Sequence, residues 1–195
     1  LNPDSDTTLA LLGTAYYKSK QIDLALSTFE KALYIAPEDV RLNQGYQNSL
    51  LVKAVKTYNE GNPELAAKMF HFLIENGMKA VMLYVYQGHS FRDLGFLQEA
   101  LESYQQAIQL EPEDASLRWY EISILVSMGK TEEAQNLAKE LNKKFPNSGF
   151  DSNDIFQDER ATAINMMKTS LFNEKWKNVI QTGKVYISKF SSLNT

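Results

Sequence analysis

Apolar residues recur at helical spacing along most of this chain. In LALLGTAYYK, Leu9, Leu12, Gly13 and Tyr16 share one face, and in ALSTFEKALYIAPED so do Ala25, Phe29 and Ala32. Pro37 ends the second run, because proline lacks an amide donor and disfavours helical geometry in the residue before it. Two amphipathic helices joined by a short turn are therefore predicted up to Asp39. The phrase ALESYQQAIQLEPED, Ala100 to Asp114, repeats the pattern of Ala25 to Asp39 at an offset of 75 residues. A pattern written twice in this way marks an array whose units stack, because no single unit can bury its apolar face alone.

The first unit, residues 6–39, resembles the tetratricopeptide repeat, a helix–turn–helix of about 34 residues. Leu12, Gly13, Tyr16, Ala25, Phe29, Ala32 and Pro37 all stand at the family's signature positions, and Leu9 stands where the family usually has Trp. Small residues at Gly13, Ala25 and Ala32 let the two backbones approach, and Tyr16 and Phe29 fill the remaining gaps. Residues 81–114 form a second clear unit, with Tyr84, Gly88, Phe91, Ala100, Tyr104, Ala107 and Pro112 in place. Residues 115–148 keep Leu125, Gly129, Ala134 and Pro146, with Trp119 one place past the usual tryptophan.

Between these units lie residues 40–80. Two repeats would span about 68 residues, so the seven residues Val40 to Tyr46 are extra. Seven residues are nearly two helical turns and rotate a helix face by only about 20°. One elongated helix starting near Glu38 is expected, followed by a GNP turn in which Asn62 suits the cap and Pro63 the first helical position. The alternative is a loop at Asn43–Gly45. Residues 149–159, rich in Gly, Asp, Asn and Ser, read as a linker. Residues 160–195 read as a degenerate helix pair, with Trp176 after its turn and Val179 and Tyr186 replacing the small residues. Residues 1–5 read as the tail of a preceding repeat, Pro3 falling where that unit would end. The chain is then a piece of a longer array. The alternative is a processed terminus that happens to contain proline. The expected fold class is all-α, about ten helices in antiparallel pairs; the resemblance implies an α-solenoid wound as a right-handed superhelix.

Composition narrows the function. Apolar residues make up 44 % and the net charge is −4, which gives no global signal for nucleic acid. No apolar run approaches the roughly 18 residues needed to span a bilayer. Without cysteine there is no disulfide or thiolate metal site. The compartment stays open, the cytoplasm being favoured over the periplasm. Residues 160–195 carry one acid and six bases. A solvated lysine surface is the simple reading of Lys168, Lys175, Lys177, Lys184 and Lys189, and an anionic surface or acidic partner the alternative.

Candidate chemistry is sparse. His71 and His89 fall in different repeats and no cofactor or metal is expected. DSNDIFQDERAT has Phe156 where a calcium loop needs glycine, and MGKTEE lacks the first glycine of a phosphate loop, with Ile124 in its place. There is no G-x-S-x-G, and the carboxylates have no focus, so the chain is read as not an enzyme.

The resemblance implies a protein-binding module, with the first helix of each unit lining a concave groove. The groove positions carry over to Ala10, Thr14 and Tyr17; Asn48, Leu51, Val55 and Tyr58; Met82, Val85, His89 and Arg92; and Ser116, Trp119, Ser123 and Val126. The family's two-carboxylate clamp for chaperone tails is not present, since its places hold Ala10, Thr14, Val52, Met82 and Tyr86. The expected partner is a protein or peptide bound to an apolar, aromatic groove through Tyr17, Leu51, Val55, Tyr58, Val85, His89, Arg92, Trp119 and Ser123. The alternatives are a scaffold that self-associates and a regulatory domain of a larger protein.

Overall fold

The computed structural model describes residues 5–146, which hold eight helices and no strand. The linker 149–159, the helix pair 160–195 with its lysines, and residues 1–4 of the expected tail lie outside the described residues. The helices are α1 Asp6–Lys18, α2 Ile22–Ile35, α3 Val40–Asn59, α4 Pro63–Glu75, α5 Val81–Asp93, α6 Leu97–Leu110, α7 Ala115–Ser127 and α8 Thr131–Lys144. The chain divides into two compact units, one up to Ser90 and one from Phe91.

Helix starts follow from local chemistry. The Ser5 hydroxyl accepts the Thr8 amide at 3.2 Å, Asp39 accepts Arg41 N–H at 2.8 Å, Asn62 accepts Leu65 N–H at 3.1 Å, and Asp114 accepts Ser116 N–H at 2.8 Å. Each acceptor satisfies an amide that the first helical turn leaves without a partner. Five turns end their helices alike, with a residue of positive φ two places after the helix. Gly61, Gly77, Gly95 and Gly129 fill that place at φ 84°, 81°, 81° and 77°, and Lys20 fills it at φ 62°. A side chain there brings Cβ against the backbone, which is why glycine is the usual occupant.

In the first unit, Ala25, Phe29, Ala32 and Leu42 form one core, joined by Leu9, Tyr16, Tyr17 and Tyr46. The Phe29 ring lies close against two glycines. A Cβ on Gly13 would stand 3.0 Å from it, and one on Gly45 only 2.5 Å. The whole stretch Asn43–Gly45 is helical within α3, and Gly45, unfavourable in a helix interior by about 1 kcal/mol relative to Ala, makes room for that ring. A second core joins Leu50, Leu51 and Ala54 of α3 to Ala66, Phe70 and Leu73 of α4 and Leu83 of α5. The 20 residues of α3 make a helix of about 30 Å at 1.5 Å per residue. Its first half therefore covers α1 and α2, its second half covers α4 and α5, and Tyr46 touches both cores.

In the second unit, Ala100, Leu101 and Tyr104 of α6 pack with Ile122, Ile124 and Leu125 of α7 and Ala134, Ala138 and Leu141 of α8. Tyr104 stacks on Tyr120 with ring centres 5.3 Å apart. Glu121 is buried at 7 % exposure. Gln105 Nε2 donates to one of its oxygens at 3.0 Å and Arg118 Nη1 to the other at 3.1 Å, so the desolvated carboxylate is satisfied on both sides.

Candidate functional site: the open faces of the first helices

In α5, Met82 is 50 % exposed, Val85 and His89 are half-buried, and Arg92 is exposed. These four recur at three- and four-residue spacing and share one face. In α7, Ser116, Trp119 and Ser123 are half-buried on one face, while Val126 is buried at 7 %. Trp119 packs against the core of the second unit rather than standing clear of it. In α1, Thr14 is exposed, while Ala10 and Tyr17 are half-buried and pack on the first core.

The structure reorders α3. Leu51 is buried at 7 % in the second core, and Val52 beside it is 39 % exposed. Two neighbours explain the difference. The second half of α3 shares one core with α4 and α5 through Leu50, Leu51 and Ala54, and Tyr58 meets Tyr86 of α5 edge-on. At about 100° per residue, Val55 lies about 60° and Tyr58 about 120° from Val52 on the α5 side. Lys56 lies about 40° and Lys53 about 100° round on the other side. The exposed Val52 and Lys56 went unread in the sequence because a repeat template assigns that stripe to Leu51 and Val55; counting from the N-cap Asp39 leaves the same ambiguity.

Tyr58 and His89 bring α3 and α5 together. Their rings lie 6.1 Å apart in a stacked arrangement. Tyr86 meets both edge-on, at 5.5 Å from Tyr58 and 5.8 Å from His89, and leans on Phe70 at 6.2 Å. The core-facing Phe70 is fully buried, so this cluster runs from the α4 core out to the half-exposed rings of Tyr58 and His89.

Charge around the site is mostly engaged. Arg92 Nε and Nη2 both donate to Asp93 Oδ1, at 2.9 and 2.8 Å, so this expected groove cation already has a carboxylate beside it. Lys53 Nζ lies 2.6 Å from Asp23 Oδ1, and this bond holds the Asp23 carboxyl below its usual range. Lys56 lies 3.7 Å from Glu60, both well exposed, a spacing and exposure at which an ion pair contributes little. Tyr46, beside Glu30 at 3.4 Å, has its phenol pushed up by burial and by that carboxylate. No helix among the described residues is long and apolar enough to cross a membrane.

Comparison with known proteins agrees with the architecture. A tetratricopeptide repeat model matches residues 7–39 and a second model, described as a TPR repeat, matches residues 88–120. Tetratricopeptide repeat protein 16 of Homo sapiens is 26 % identical over 149 residues, and its counterpart in Macaca fascicularis is the same. The match takes in 74 % of this chain but only 16 % of each relative, so the chain spans a small part of their length. Among solved structures, YrrB, described as a TPR protein with an unusual peptide-binding site, superposes with a TM-score of 0.53 at 19 % identity, covering 96 % of this chain and 87 % of that one. A structure of MamA gives a TM-score of 0.54 at 15 % identity, covering 97 % and 93 %. These likenesses establish the fold. With the helix-pair units, their signature residues and two matched repeats, the chain is a tetratricopeptide-repeat protein.

Proposed function

We propose that this chain binds a peptide or helix of a partner protein along the open stripe of its first helices. Tetratricopeptide repeats are protein-interaction modules, generally without catalysis of their own. The observation that carries the reading is the surface made by Val52, Val55 and Tyr58 of α3 with Met82, Val85 and His89 of α5, held together by the Tyr58–His89 stack at 6.1 Å. Aromatic rings already packed on a core lose little rotamer freedom on binding, so such rings make effective anchors. The description of YrrB, which speaks of a peptide-binding site in that protein, supports the same use of this fold. In the second unit, Trp119 and Ser123 belong to the corresponding stripe of α7.

A photo-crosslinking residue placed at Met82 tests this against one placed at Phe72 on α4, since the two are similarly exposed at 50 % and 43 %. The expected result is a protein adduct from Met82 and none from Phe72. Equal adducts from both, or none from Met82, would overturn the reading. Self-association is the second reading, favoured by the exposure of Leu11, Leu12 and Leu24 at 66 %, 41 % and 46 % on α1 and α2. A mass that grows with concentration in light scattering, and no longer grows in Leu11→Ser, is its signature.

A further inference from the structure

The turn after α4 reads Glu75-Asn76-Gly77-Met78 and holds the only asparagine–glycine pair in the sequence. Both members of the pair are exposed, and nothing stands within 4 Å of the place a Cβ on Gly77 would take. Gly77 lies at φ 81°, a conformation open to it because it carries no side chain. Its amide nitrogen can close a five-membered ring with the side-chain carbon of Asn76, and no side chain of its own shields that nitrogen. The folded turn occupies both reacting groups. Asn76 Nδ2 donates back to the Phe72 carbonyl at 2.8 Å, and Gly77 N–H donates to the Ile74 carbonyl at 2.9 Å. Gln47 Nε2 of α3 donates to the Asn76 carbonyl at 3.1 Å and ties the turn down from outside. Bonds at an exposed helix end open at a small fraction of the cost of unfolding the whole chain.

We propose that Asn76 is a site of spontaneous deamidation, gated by the hydrogen-bonded end of α4. When the bonds to Phe72 and Ile74 open, hydroxide removes the Gly77 amide proton and the nitrogen attacks Asn76 Cγ. The N–Cγ bond forms, the Cγ–Nδ2 bond breaks, and the leaving nitrogen takes a proton from water and departs as ammonia. The product is a succinimide joining the two residues. The attack is intramolecular, which favours it over attack by water on the same amide. Water then opens the ring at one of its two carbonyls. One opening leaves aspartate. The other leaves isoaspartate, whose link to Gly77 runs through Cβ and Cγ and is one carbon longer. Both products lose the Nδ2 donor to Phe72 and set a carboxylate at the C-terminal end of α4, where the helix dipole is itself negative. The modification thereby weakens the junction that leads from Leu73 of α4 to Leu83 of α5, two residues of the same core.

Trypsin cuts after Lys68 and Lys79, and the peptide 69–79 holds Asn76 as its only amide side chain, so its mass reports this residue alone. The full chain is aged in mildly alkaline buffer beside a synthetic peptide 69–79. Mass spectrometry follows the conversion, and an isoaspartyl methyltransferase labels the longer product. The folded chain should convert roughly 10-fold more slowly than the free peptide, yet ahead of every other asparagine among the described residues. Gln47→Ala, which unties the turn from α3 and leaves the reacting pair intact, should convert about 3-fold faster than the parent, with circular dichroism unchanged. Asn76→Asp, which carries the shorter product from the start, should melt about 1–3 °C below the parent. A folded chain that does not convert would overturn the site. Conversion as fast as in the free peptide, or indifferent to Gln47→Ala, would overturn the gating by the α4 end. An Asn76→Asp chain that melts at or above the parent would overturn the weakening of the junction.

Discussion

Gly45→Ala is an informative substitution in the first unit, because helix propensity and packing predict opposite signs. Within the 20-residue α3, replacing Gly by Ala should stabilise by about 1 kcal/mol from propensity alone. The structure opposes this. The new Cβ would sit 2.5 Å from Phe29 Cζ and 2.6 Å from Cε1, well inside the contact distance of about 3.5–4.0 Å. The ring has little room to retreat, because Phe29 is 2 % exposed and the same Cε1–Cζ edge also lies close to Gly13. Overpacking of a well-packed core costs about 1–3 kcal/mol, and a 2.5 Å approach to a buried ring argues for the upper half of that range. The expected net effect is a loss of about 1–2 kcal/mol, which lowers the melting temperature by about 2–4 °C per kcal/mol in a chain of this size. Thermal unfolding followed by circular dichroism measures it. The same substitution in a Phe29→Leu background, where the ring is gone, should stabilise by about 0.5–1 kcal/mol, a reversal of sign that isolates the contact. A Gly45→Ala protein that melts higher than the parent, or one that shifts in the same direction in both backgrounds, would refute the clash.

Lys20→Gly should stabilise by about 0.5–1 kcal/mol, since Lys20 holds φ 62° in a region that disfavours side chains by about 1–2 kcal/mol; an unchanged or lower melting point would contradict this. Ala100→Leu should destabilise by about 1–3 kcal/mol, Ala100 being fully buried between α6 and its neighbours, whereas Ala10→Leu, at a half-buried position of α1, should cost clearly less; equal losses would show the repeat register to be wrong. Trp119→Ala should cost about 1–3 kcal/mol, below the 3–5 of a fully buried large side chain, because Trp119 is half-buried against the core; unchanged stability would mean that the ring stands free of it. The Asp23 carboxyl, held down by Lys53, should titrate below ordinary aspartates by NMR and return to the usual range in Lys53→Met. Because its folded value is the lowered one, the bond's contribution is present above the unfolded carboxylate range and is lost as pH falls through the folded value; an Asp23 titration indifferent to Lys53→Met would remove the ion pair from the argument.

Much of the architecture was legible in the sequence because repeats encode it locally. The periodicity of Ala25, Phe29 and Ala32 and its echo at Ala100, Tyr104 and Ala107 required helix pairs, and these six are buried, whereas Tyr16 is half-buried and Leu12 exposed. Caps at Asn62 and turn glycines such as Gly129 needed only the chain on either side of them. On α5, Met82, Val85, His89 and Arg92 follow the family's spacing without interruption, and of these Met82 and Arg92 are exposed while Val85 and His89 are half-buried. What the sequence left open were properties shared between segments distant along the chain. Gly45 reads as a weak point in a helix until the ring of Phe29, sixteen residues earlier, is found against it. Leu51 reads as a groove residue and Val52 does not, yet burial is the other way round, because an elongated helix meets two successive neighbours and only packing decides which part of its circumference each one covers. Arg92 reads as a cation offered to a partner, but its neighbour Asp93 turns back onto it at 2.8 Å. Helical period is a one-dimensional property of the sequence; which side chain meets solvent is a three-dimensional sum over all the elements that approach it, and that sum exists only once the chain has folded.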